Sequence, residues 1–283
     1  MRNFFARGDR RGQVGQVITL EYAVDSRPRW DNQTPNPFLY EVIDRRRSTY
    51  RSTLQALASY SDDFLRIPAH PRAGGPSSEP NWVNGWLPGL DSVALYGFLA
   101  IHKPKHYVEV GSGNSTKFAR RAITNYKLPT QILSIDPCPR AEINDICDET
   151  IRQPAESVPL EVFDVLGPND ILFIDSSHRV FMNSDATALF LDVLPRLKPG
   201  VLVQVHDVTL PYDYPAAWTE RYYSEQYLLA AYLLARGEMF DIELANTFIS
   251  DDPELSQELA SLWARPQFAG IERHGSSFWF RMR

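Results

Sequence analysis

The chain predicts an α/β fold: a doubly wound, mainly parallel sheet of seven strands, preceded by a helical and irregular extension. Three observations predict it. A strand, a glycine turn and a helix start follow one another in Tyr107-Val108-Glu109-Val110-Gly111-Ser112-Gly113-Asn114-Ser115-Thr116 and the helical spacing after it. Strand-like and helix-like segments then alternate to the end of the chain, which calls for parallel strands with helices on both faces. The uninterrupted apolar run Ile171-Leu172-Phe173-Ile174 fits a strand buried on both sides.

Residues 1 to about 36 are mixed, with Val14 to Val24 able to form a strand or hairpin. Phe38 to Tyr60 has helical spacing through Leu39, Val42, Ile43, Tyr50, Leu54 and Leu57. Arg45, Arg46 and Arg47 read as the solvated side of that helix. Ile67 to Gly89 is rich in proline and glycine and carries Trp82 and Trp86, a connector with little regular structure. Residues 1–85 are therefore expected as an extension, either a cap over the substrate side or a segment packed on the back, and residues 86–283 as the main domain.

Asp91 is placed to cap a helix over Ser92–Ile101. The strand at Tyr107 follows, then a helix over Ser115–Asn125, for which Asn114, Ser115 and Thr116 are each N-cap candidates, and a second strand, Gln131 to Asp136. A third strand is expected over Glu149–Gln153, a short helix near Leu160–Leu166, and a helix over Asp185–Leu197 stopped by Lys198-Pro199-Gly200. The fifth strand spans Val201–Val205, followed by an apolar helix Glu225–Ala235, a strand Phe240–Leu244, a helix Pro253–Trp263 and a last strand Ser277–Met282.

Open α/β sheets bind ligands beyond the carboxyl ends of their strands, so residues that follow strands are the candidates. Gly111 and Gly113 let backbone N–H groups approach a ligand. Asp136, about two dozen residues past the turn, stands where an acid accepts from a ribose diol. Position 116 is Thr, so the third glycine of the dinucleotide fingerprint is missing. Asp175 and the His206-Asp207 pair follow adjacent strands and converge on one point. Two carboxylates and an imidazole can hold a divalent ion with positions left for substrate oxygens. His178 is either a base for a hydroxyl proton or a hydrogen-bonding partner of its neighbours.

With these residues the chain resembles the class I S-adenosylmethionine-dependent methyltransferases, a Rossmann-like fold. It is similar in particular to the methyltransferase-24 type, and around the active site to catechol-type O-methyltransferases. The resemblance spans about residues 85 to 283 and is carried by V-E-V-G-S-G-N-S-T, D-I-L-F-I-D-S-S-H and L-K-P-G-V-L-V-Q-V-H-D. It implies that Glu109 and the turn Gly111, Ser112, Gly113, with Asn114, Ser115, Thr116 and Asp175, face S-adenosylmethionine. Asp136 would take its ribose, and Gln153 would lie where its adenine passes. It implies a metal at Asp175, His206 and Asp207 and a base at His178. His206 replaces an acid of that family, which leaves magnesium, a softer metal or no metal open. The seventh strand is implied to run antiparallel beside the sixth.

Tyr212, Asp213, Tyr214 and Trp218, in the loop after the fifth strand, suit contacts to a sugar or aromatic ring or plain loop packing. Arg179, Asn183 and Asp185 are weaker candidates. The chain has 29 Lys and Arg against 35 Asp and Glu, a formal net charge of -6, which argues against a phosphate-bound nucleic-acid partner. No stretch is apolar enough to cross a membrane and the first residues carry no signal-peptide pattern, so the expectation is a cytoplasmic protein. Cys138 and Cys147 read as packing residues rather than a disulfide or metal pair. No Asn-Pro-Pro-Tyr or Asp-Pro-Pro-Tyr follows the fourth strand, which moves the expected acceptor from nitrogen to the oxygen of a small molecule. Association into a homo-oligomer is left open. The competing expectations are a binding scaffold without turnover and a nicotinamide-dependent oxidoreductase.

Overall fold

The structure, a computed structural model, describes residues 18–235 and 239–283. Helices α1 (Pro37–Asp44), α2 (Arg47–Ala58) and α3 (Ser61–Phe64) precede the long α4 (Gly89–His102). Then come β1 (His106–Val110), α5 (Asn114–Tyr126), β2 (Gln131–Ile135), β3 (Glu149–Ile151), β4 (Ile171–Ile174), α6 (Asp185–Ala188) and β5 (Leu202–Val205). The chain ends with α7 (Glu225–Leu234), β6 (Phe240–Ala245), α8 (Asn246–Asp251), α9 (Ala260–Trp263) and β7 (Phe278–Met282).

The sheet has seven strands in the order β3-β2-β1-β4-β5-β7-β6. β1 through β5 pair in parallel, and β7 inserts antiparallel between β5 and β6. Strand order therefore reverses between β1 and β4, whose ends Val110 and Ile174 stand side by side. This is where an open α/β sheet leaves a crevice for ligands. All four residues of β4 are buried, as its all-apolar run predicts, and all four of β5 are buried with Gln204 among them.

Several local expectations are corrected. Val14 to Gln16 and Val17 lie outside the described residues, and 18–24 form no strand. Asp91 sits inside the first turn of α4 rather than at its cap, since Pro88-Gly89 opens the helix earlier. Asn114, Ser115 and Thr116 are the first three residues of α5, after Gly113. The helix read over Asp185–Leu197 is α6 followed by a wider turn, Leu189–Val193, and a tight one, Leu194–Arg196, where Pro195 cannot donate a backbone hydrogen bond. The helix read over Pro253–Trp263 starts instead at Asn246 and is broken by Pro253 into α8, a tight turn at Leu255–Gln257 and α9.

The arginine triplet is not merely wet. Arg46 Nε donates to the Ile242 carbonyl at 3.2 Å, and Arg47 pairs with Asp252 at 2.6 Å, tying α2 to β6 and to the end of α8. Leu39, Ile43, Tyr50, Leu54, Leu57, Phe64 and Trp82 are buried in one continuous core with the sheet. Cys138 is exposed, against the packing role expected, while Cys147 is half-buried and its thiol is pushed up to about 11 by burial. No helix among the described residues is long and apolar enough to cross a membrane.

Candidate active site

The turn after β1 is fixed from two sides. Gly111 has φ 80°, and a Cβ there would lie 1.7 Å from the Asp175 carbonyl oxygen, so glycine lets the turn pass the end of β4. Beyond β2, Asp136 accepts the Ser112 N–H at 2.8 Å and the Cys138 N–H at 2.7 Å. Ser112 Oγ shares a hydrogen bond of 2.7 Å with Ser134. A Cβ on Gly113 would meet nothing within 4 Å, so the turn presents an open face there.

Glu109 lies beneath this turn, fully buried. Tyr107 Oη donates to one of its oxygens at 2.9 Å and Thr116 Oγ1 to the other, while Thr116 Oγ1 accepts the Gly113 N–H at 3.0 Å. Desolvation pushes its carboxyl up to about 7 against these hydrogen bonds. One of its oxygens is thus tied to Tyr107 in β1 and the other, through Thr116, to the turn. Gln153 is exposed just past β3.

At the ends of β4 and β5, ligand atoms of Asp175, His178 and Asp207 all lie within 4.8 Å of one another. His178, in the left-handed region at φ 60°, points Nε2 at Asp175 (3.1 Å) and Asp207 (3.6 Å). Its Nδ1 is 2.8 Å from buried Glu225 at the start of α7. Burial opposes charge on this ring, but Asp175, Glu225 and Asp207 outweigh it and hold its pKa well above the ordinary value. His206 is placed differently from the expected ligand. Its Nε2 lies 3.2 Å from Asp91 and its Nδ1 3.3 Å from Asp207 and 3.7 Å from Asp175, with neither nitrogen in hydrogen-bonding alignment. Burial works against ionising Asp175, and the His206 and His178 charges win, holding it at about 2.

Two carboxylates that matter here carry no strand-end signal. Asp91 accepts the Ser276 and Ser277 N–H groups at 2.9 Å each and Asn246 Nδ2 at 2.7 Å, joining α4, the segment leading into β7, α8 and His206. Glu225 looked like an ordinary first-turn acid of an apolar helix. The start of α7 docks on the loop after β4, where the Ser224 and Glu225 N–H groups donate to the His178 carbonyl at 2.8 and 3.2 Å, so spacing alone offered no clue.

The loop after β5 separates into anchors and open side chains. Asp213 accepts the backbone N–H groups of Arg29 (2.7 Å) and Trp30 (3.3 Å) and the Tyr227 hydroxyl (2.9 Å), and Tyr214 Oη accepts the Gln226 N–H at 3.1 Å. Both are buried, while Tyr212 and Trp218 are partly open. Asp185 holds the Ser177 N–H at 2.8 Å, Asn183 takes φ 55° in the same loop, and Arg179 donates to the Arg221 carbonyl at 2.9 Å. The extension reaches this end of the sheet as well: Asn36 N–H donates to the Pro211 carbonyl at 3.1 Å, and Asn114 Nδ2 is 3.4 Å from Asn84 Oδ1.

Residues 108–208 match the model of a family described as a methyltransferase domain. Among solved structures, an O-methyltransferase from Bacillus cereus in complex with SAH is 13% identical, over 82% of this chain and 91% of that one, at a TM-score of 0.39. An SAH-bound methyltransferase from Podospora anserina is 16% identical over 88% and 98%, at 0.41. The O-methyltransferase TomG from Streptomyces achromogenes, involved in tomaymycin synthesis and solved with SAM, is 14% identical over 81% and 89%, at 0.38. No curated protein matches the chain.

Proposed function

We propose that the chain, whose residues 108–208 match the model of a methyltransferase domain, is a class I methyltransferase and that it moves the methyl group of S-adenosylmethionine to a hydroxyl oxygen of a small metabolite. A saccharide or an aromatic product is the acceptor class. The observation that carries this reading is the gathering of Asp175, His178 and Asp207 within 4.8 Å beside the open face of the Gly111–Gly113 turn.

In this reading the turn and Asp136 receive the adenosyl ligand, and the acceptor lies beyond its sulfur, over β4 and β5. The acceptor oxygen attacks the methyl carbon in line with the carbon–sulfur bond. Sulfur keeps the electron pair and becomes a neutral thioether, and the hydroxyl proton leaves through the Asp175 and Asp207 carboxylates to water. His178 has both nitrogens committed to carboxylates, so it positions the aspartates rather than acting as the base. Most of the acceleration comes from alignment.

The donor set fits a divalent cation. Asp175 and Asp207 would hold it, His178 would join them only by giving up its Nε2 proton, and Glu225 on the far nitrogen of His178 is the outer partner that would orient the imidazole. An imidazole among two carboxylates suits manganese, iron or zinc better than magnesium. Such an ion supplies charge that lowers the pKa of a hydroxyl and fixes its oxygen.

Calorimetric titration with S-adenosylhomocysteine and, separately, with NADH tests the assignment. Binding of the first, weakened at least tenfold by Asp136→Ala, is the expected result. Tight NADH binding, or an unaffected variant, would sink it.

A further inference from the structure

We propose that the acceptor carries an anionic group, a phosphate or carboxylate on its hydroxylated skeleton, received by Arg179 and Arg221 over the rings of Tyr223 and Trp218. This deepens the proposed function and rests on it for the placement of the acceptor. The ring of Tyr223 packs on His178 with centroids 4.6 Å apart, so the aromatic wall begins at the residue that holds Asp175 and Asp207. From there it continues through Trp218 and Tyr214, each 5.8 Å from Tyr223.

Two guanidinium groups share this wall. Arg179 lies 5.3 Å and Arg221 5.5 Å from the Tyr223 centroid, and Arg221 sits 4.4 Å over Trp218. Arg179 spends its Nε on the Arg221 carbonyl (2.9 Å) and its Nη1 on the Ser177 carbonyl (3.1 Å), both neutral acceptors. Among the described residues no carboxylate comes within ion-pair distance of either side chain. By contrast, Arg47, Arg51, Arg120, Arg196, Arg281 and Arg283 each face a carboxylate at 2.9 Å or less.

Two like charges held against one ring without a counter-charge repel each other, and an anion between them removes that repulsion. Arginine presents planar paired donors that match phosphate and carboxylate geometry. An aromatic face beside them suits the apolar face of a sugar or a flat ring. A neutral acceptor would leave the pair uncompensated.

The experiment first saturates the protein with S-adenosylhomocysteine, then titrates glucose 1-phosphate, glucuronate and glucose by calorimetry. The expected result is that at least one charged probe binds tenfold or more tighter than glucose. Arg179→Ala and Arg221→Ala should each weaken that probe at least tenfold, and Arg221→Lys less, with the affinity for S-adenosylhomocysteine unchanged. The charged probe that binds tells phosphate from carboxylate. Glucose binding as well as the charged probes, neither charged probe binding, or alanine variants that bind them unchanged would overturn the proposal. Failure to bind S-adenosylhomocysteine at all would instead strike the proposed function.

Discussion

Single residues in this molecule are fixed by what their neighbours leave room for. At Gly111 the left-handed φ and the Asp175 carbonyl 1.7 Å from any Cβ act together. Gly111→Ala is expected to cost more than about 2 kcal/mol and to shift the end of β4, which denaturant unfolding and loss of S-adenosylhomocysteine binding would reveal. An alanine variant as stable as the parent would show that β4 yields easily. Glu109 gives a pH signature. Its folded pKa is raised to about 7 from 4.5, so the folded state holds the proton more tightly. The stability this contributes is complete below the unfolded value and is lost as pH rises through the folded one, a fall on the order of 3 kcal/mol between about pH 4.5 and 8. Glu109→Gln should flatten that part of the stability profile. A profile as steep as the parent's would assign the slope to other groups.

At the scale of elements, β4 announced itself by an uninterrupted apolar run, because it is covered on both faces, while β1 and β5 hold the buried polar residues Glu109 and Gln204 within otherwise apolar segments. Helix boundaries were less legible: Pro195 breaks what the apolar spacing presents as continuous over Asp185–Leu197, and the helix read from Pro253 onward holds only a tight turn and the short α9, with α8 ending before that proline. Asp136, Asp175 and Asp207 were legible because topology puts active residues at strand ends. Asp91 and Glu225 were not. A lone acid near a helix start has the same local signature whether it caps the helix or reaches across the fold. Asp91 links four elements, with His206 3.2 Å away and two backbone N–H groups at 2.9 Å, all buried. Removing one partner of such a cluster strands the others, so Asp91→Ala should lose about 3–5 kcal/mol in chemical denaturation. Asp91→Asn, which keeps one acceptor, should lose less. Equal losses would mean that charge rather than acceptor geometry holds the junction.

For the whole molecule, the question is whether the extension and the sheet stand or fall together. The sequence suggested a boundary near residue 85, where proline and glycine interrupt regular structure. Yet α2 packs so closely on α4 that a Cβ on Gly97 would come 2.1 Å from Leu57 Cδ2, and Trp82 packs between Phe118 and Phe268 at 5.4 and 5.0 Å. The Arg47–Asp252 pair at 2.6 Å and Arg51–Glu258 at 2.8 Å add links that the net charge could not reveal, because opposite charges distant in sequence cancel in the sum. A core shared in this way gives neither part enough buried surface to melt alone. The expected outcome is one cooperative transition, with tryptophan fluorescence and far-ultraviolet dichroism coinciding, and Leu57→Ala lowering it by about 2–5 kcal/mol for both probes. Two separated transitions, or a Leu57→Ala effect confined to one probe, would establish residues before 85 as an independent unit.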